Sequence, residues 1–192
     1  TQATPFGTFE HRRVPNMDES LAPPSRFALD RTPSEITALV EFLDIHRIEF
    51  HERVWGLNDD QLRQTAAASD LTLGALVKHM ALVEHSWFEH RFLGMDEREP
   101  WASAPWDDDP DWELTTAAHD TGEELFRLYV DACNRCRDVI ANAESLDQLS
   151  VRTDNNDKRW NLRWIMLHMI EEYARPCGHA DLIRESIDGV SG

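Results

Sequence analysis

Four stretches of the chain repeat apolar residues every three to four positions, and no stretch of any length alternates apolar with polar. A chain patterned this way can bury its apolar faces only by packing helix on helix. Thr32 and Pro33 open the first stretch, with Glu35 three residues after Thr32 as a capping box requires. Ile36, Leu39, Val40, Leu43, Phe50 and Val54 mark its buried face as far as Gly56, which predicts a helix over about 33–55. Residues 58–62 read as a further short turn of helix. Ser69 to Thr72 opens the second stretch, where Leu73, Leu76, Val77, Met80, Val83 and Trp87 keep helical spacing towards Gly94. The third is expected over about 116–144, with Leu125, Tyr129, Ala132, Cys136, Val139 and Ile140 on one side. Asn161 caps the fourth, over about 162–187, after a polar loop from Ser150 to Arg159.

Four helices of this length predict an all-α four-helix bundle over residues 33–192. Residues 1–32 hold Pro5, Gly7, Pro15, Pro23 and Pro24 and read as an extended arm, either lying on the body or loose. Residues 95–115 form a long connection rich in Trp, Asp and Pro, including Trp101, Trp106 and Trp112. A connection of that length permits a crossover instead of a simple up-and-down order, and long connections are often functional.

Composition narrows the function. With 19 Lys and Arg against 36 Asp and Glu, the chain carries a net charge of -17, which disfavours nucleic acid and anionic membranes as partners. No apolar run is long enough to span a bilayer, and no secretory signal opens the sequence. Cys133, Cys136 and Cys177 are too few and too unevenly spaced for a disulfide framework, so a reduced, cytoplasmic protein is expected. Cys133 and Cys136 lie one turn apart on the third helix and read as small buried fillers. His46 and His51 lie near the C-terminal end of the first helix, where positive charge is favoured, and His85 and His90 flank Trp87–Phe88, where they read as surface residues or as the border of a pocket. No Gly-rich phosphate loop and no Ser-centred nucleophile elbow is present.

The fourth helix carries the chemistry. His168, Glu172, Pro176 and His179 are spaced four, four and three apart, on one stripe with Ile165 and Ile183. An inward carboxylate and imidazole must be paired or metal-bound, since burying them alone is costly. On the second helix His79 shares a face with Leu76 and Val83, where it can meet that stripe across the bundle. Helices that donate His and Glu inward are one way bundles build metal sites, and a hydrogen-bonded core histidine is the plain alternative.

The strings Leu71–Met80, Trp87–Phe88, Leu162–Glu172 and Gly178–Glu185 resemble the DinB-like superfamily, in the branch related to mycothiol-dependent S-transferases and maleylpyruvate isomerase. The resemblance spans roughly residues 33–189 and leaves the arm outside it. It implies a bundle that holds zinc or nickel by three side chains, with ligands matching His79, Glu172 and a His at position 176. Here that position is Pro176, which cannot bind metal and sits where a helix loses a hydrogen bond. Three outcomes stay open: the site is metal-free, His168 completes a triad with His79 and Glu172, or a kink brings His179 in. The last needs distortion, because His179 lies seven residues past Glu172, about 10.5 Å along a straight helix.

The resemblance further implies a low-molecular-weight thiol, mycothiol, activated as a metal-bound thiolate that adds to an electrophilic substrate. It implies thiol transfer or isomerisation as the reaction, with the Trp-rich loop closing over the pocket, and leaves a homodimer open. A metal-free small-molecule-binding protein and a metal-free acid–base enzyme on the same bundle are the alternatives.

Overall fold

The computed structural model of the protein describes residues 17–66 and 70–190. Its long helices are α1 (Glu35–Val54), α3 (Leu73–Glu84), α5 (Gly122–Asn142) and α6 (Leu162–Asp188), with short helices α2 (Asp59–Leu62) and α4 (Trp112–Thr116) between them. No β-strand forms among the described residues; Thr65–Thr72 and Leu149–Asn161 are isolated bridges. The all-α bundle expected from the periodicity is the fold.

Side-chain caps set the helix starts. Ser34, Asn58, Thr72, Thr121 and Asn161 each accept a hydrogen bond from the backbone N–H three residues on. Ser34, not Thr32, caps α1. The third long helix starts at Gly122 rather than near 116, because Thr121 and Glu124 close a reciprocal capping box. The residues just before it form α4 and a 3-10 turn, Ala117–His119.

Contacts between helices fix their directions. Glu35 meets Arg163 and His46 meets Cys177 near successive levels of α1 and α6, so these two run parallel. Gly74 lies against Leu125, and Glu89 meets Arg135, so α3 and α5 also run parallel. Tyr173 bonds Glu84 while His168 packs on Trp87, so α6 is antiparallel to α3. Arg47 pairs with Tyr129 and Asp44 with Arg137, so α1 is antiparallel to α5. The order is up, down, down, up. Two parallel neighbours in sequence, α3 and α5, require the chain to travel the bundle's length between them, and residues 95–121 make that crossover.

The crossover is fixed to the body. Trp101 is 1% exposed and packs edge-on to Trp112, and the Trp106 indole N–H donates to the Trp101 carbonyl. Arg63 donates to the carbonyls of Ala118 and Asp120. A buried indole and several hydrogen bonds pin this loop to the body. From the arm, the described residues lie on the body too: Leu21 enters the core and Arg26 pairs with the buried Glu52 at 2.5 Å. Residues 1–16 of the arm lie outside the described residues.

The centre of the bundle is polar and fully matched. Arg47 grips both oxygens of Glu84 at 2.7 Å, and the Tyr173 hydroxyl donates to Glu84 at 2.6 Å. Burial pushes the Glu84 carboxyl up, but Arg47 and Tyr173 outweigh it and hold it below the usual carboxylate range.

Beyond Glu84 the helix widens into a π-helical stretch, His85–Phe92. Its i→i+5 bonding shifts which side chains face inward. At the start of this stretch the surface reading of His85 is overturned: one helical turn after the buried Ala81, it is itself fully buried, between Glu89 at 3.0 Å and Glu97 at 2.6 Å. His51 is buried as well, stacked on Phe126.

Candidate functional site

His79 stands on α3, one third exposed, with Nδ1 2.9 Å from Oε1 of Glu113. Its helix-face neighbours Leu76 and Val83 are buried, as the spacing predicted. Glu113 comes from α4, inside the crossover, and is 5% exposed. Its other oxygen, Oε2, is buried with no hydrogen-bond partner among the described residues. The preceding residue, Lys78, tightens the same joint. Its ammonium lies 4.5 Å from the Trp112 ring centre and bonds Thr116 at 2.9 Å and Asp120 at 2.6 Å.

A carboxylate accepts, so the Nδ1 of His79 donates and carries the ring's proton in the neutral form. The Nε2 lone pair is then the ring's free basic position. A histidine oriented by a carboxylate is a general-base arrangement, and equally the outer half of a metal-ligand arrangement.

On α6, His168 and Glu172 come together as their spacing predicted, with Nε2 and Oε1 3.2 Å apart. The His168 ring stacks on Trp164 at 4.8 Å and meets the edge of Trp87 at 4.6 Å. Trp160 completes this aromatic group, 5.3 Å from Trp87. Glu172 is about one third exposed. Pro176 is buried, and α6 runs through it without ending. His179 is exposed on the outer side of the helix.

His79 thus belongs to one pair and His168 with Glu172 to another. Among the described residues, no group of three or more His, Cys, Asp or Glu side chains is placed to hold an ion. A resident metal in this fold needs three such donors on one centre. With Pro176 at the third position, His168 and Glu172 supply two donors and His79 stands in a separate pair with Glu113, so the side chains as placed do not fit it.

The three cysteines are free and buried. Burial pushes the Cys133 and Cys177 thiols up to about 12, and Cys136 well above its ordinary value, with Glu84 adding to the rise at Cys133 and Cys136. None is a nucleophile near neutral pH. Arg163 is engaged with Glu35 and Asp147, and Arg184 with the Arg53 and Trp55 carbonyls and Asp188.

Glu113 is the residue that sequence reasoning did not find. It sits in a segment without periodicity, and nothing in its neighbours' types marks it out. Only the return of the crossover onto α3 makes it a partner of His79. Of the aromatic group around His168, the spacing placed only Trp87 on a helix face.

No curated protein matches the chain. The family model described as mycothiol-S-transferase matches residues 38–189, which takes in all four long helices but for the first turn of α1. With a match over that much of its length, the chain belongs to the mycothiol-S-transferase family.

Proposed function

We propose that the protein is a mycothiol-dependent S-transferase that joins the sulfur of this low-molecular-weight thiol to an electrophilic small molecule, with His79 as the base that takes the thiol proton. The family match over residues 38–189 carries the reading. The state of the cysteines supports it. The chain's own thiols are buried and held protonated, so the reacting sulfur must come from a co-substrate. Among the described residues no three donors stand together to hold a metal, and His79 is the group placed to take the proton.

The thiol S–H bond breaks and its proton goes to Nε2 of His79. The thiolate's electron pair forms the new S–C bond. In a substitution, the bond from that carbon to its leaving group breaks with its electron pair, and the departing group takes the proton back from Nε2. In an addition, the pair moves onto the substrate and the proton follows it. General-base help of this kind contributes about 10²–10⁴-fold. His168 and Glu172, half-buried beside Trp164, form a polar edge suited to the hydroxyl and amide groups of the co-substrate.

The test incubates the purified chain with mycothiol and an electrophilic aryl halide and follows the S-conjugate by mass spectrometry. The expected result is conjugate above the uncatalysed rate, insensitive to chelator and reduced about 100-fold or more in His79→Ala. Absence of conjugate above background overturns the transferase reading. Loss of activity to chelator, restored by zinc, overturns the metal-free chemistry.

A further inference from the structure

We infer that Glu113 is the positioning residue of the site: it fixes His79 with the proton on Nδ1 and the lone pair on Nε2, and steadies the imidazolium that forms when the thiol proton arrives. The inference rests on the reading of His79 as the base and adds a residue from outside the four-helix frame.

The argument is comparative. Among the described residues four glutamates are buried: Glu52, Glu84, Glu89 and Glu113. Three of them are neutralised by guanidinium groups. Glu52 is paired with Arg26, Glu84 with Arg47, and Glu89 with both Arg98 and Arg135. Glu113 forms no such pair among the described residues. Its one hydrogen-bond partner there is the ring of His79, and Oε2 is buried without one. The Lys78 ammonium is nearby in sequence but is engaged with Thr116, Asp120 and the Trp112 ring.

A half-matched buried carboxylate is a poor way to stabilise a fold, because the desolvated charge is compensated on one oxygen only. A leucine or glutamine of similar volume would fill the same space at less cost. The arrangement gains value only when His79 becomes charged. The pair then turns from a neutral ring beside an anion into a full ion pair, at the moment the sulfur loses its proton. Such differential stabilisation speeds the chemical step, because it is stronger after proton transfer than before. The attachment is also rigid. The crossover that carries Glu113 is anchored by Trp101 on one side and by Lys78 and Arg63 on the other.

The test makes Glu113→Leu, Glu113→Gln and Glu113→Asp in the full chain and reads three quantities. Thermal unfolding of Glu113→Leu is expected at or above the unaltered midpoint. The ¹⁵N shifts of the His79 ring are expected to show the proton on Nδ1 in the unaltered protein and largely on Nε2 in Glu113→Leu. In the conjugation assay, kcat is expected to fall about 100-fold in Glu113→Leu, with KM little changed, and to recover in part in Glu113→Asp. Should Glu113→Leu not fold, Glu113→Gln carries the same comparison with its shape preserved. A lowered unfolding midpoint with unaltered kcat would make Glu113 a purely structural residue and overturn the inference, as would an unchanged His79 tautomer. Failure of the unaltered chain to form conjugate would overturn the transferase reading instead. The tautomer and stability readouts would still decide Glu113.

Discussion

Glu84 has no exposed surface, yet its carboxyl is held below the usual carboxylate range, since burial is outweighed by the two-point grip of Arg47 and the Tyr173 hydroxyl. A group whose folded pKa is depressed stabilises the fold above its unfolded value, about 4.3 for a glutamate. That stabilisation is lost as pH falls through the lowered folded value. Urea unfolding at a series of pH values should therefore show the Glu84 contribution complete above about pH 5 and fading in acid. Glu84→Gln leaves the buried Arg47 with only the partly exposed Asp44 as counter-charge and is expected to cost up to about 3–5 kcal/mol at neutral pH. The variant should also lose the acid-dependent part of the profile that Glu84 supplies. The same measurement separates this matched carboxylate from Glu113, whose replacement by leucine should cost nothing. Two buried acids thus differ in purpose by what they meet: one a guanidinium inside the bundle, the other an imidazole at its edge.

At the scale of the element, α6 gathers the largest number of chemically informative residues and the most telling substitution. Its cap, its apolar stripe and the His168–Glu172 pair follow from helical spacing alone. Pro176 interrupts the hydrogen-bond ladder at the residue where the resembled family has a metal-binding histidine, yet the helix continues to Asp188. Returning an imidazole there, as Pro176→His, places it four residues after Glu172 and restores a pair with suitable bite for an ion. Calorimetric titration with zinc is expected to show no stoichiometric binding in the unaltered protein and one site per chain in Pro176→His. Stoichiometric zinc in the unaltered protein would mean that His79, His168 and Glu172 converge on one ion. The neighbouring element, the continuation of α3 from His85 to Phe92, shows the limit of spacing arguments. A π-helical turn cannot be read from a 3.6-residue period.

For the molecule as a whole, the crossover from 95 to 121 is what joins fold and site. It lets α3 and α5 run parallel, and on its way it delivers Glu113 to His79. Trp101 is its deepest anchor. Trp101→Ala is expected to cost about 3–5 kcal/mol by equilibrium unfolding, as removal of a fully buried indole does. It should also lower conjugate formation by loosening the Glu113–His79 contact. A loss of stability with conjugation unimpaired would show that the crossover's hold on Glu113 does not matter to the chemistry. No described helix is long and apolar enough to cross a membrane.

The sequence by itself determined the four long helices, the caps Thr72 and Asn161, the core faces and the pairing of His168 with Glu172. These are local properties: side-chain spacing against a 3.6-residue turn, and cap residues within three positions of the groups they satisfy. The resemblance in its strings also pointed to the family. What only the tertiary structure decided is non-local. The direction of each helix depends on where the crossover lands. The burial of His85 depends on the Glu97 carboxylate that the following connection folds against it. The partner of His79 lies 34 residues away in the chain, on a segment with no periodic signal. A buried carboxylate acquires its meaning from the group folding brings to it, and no local pattern records which group that will be.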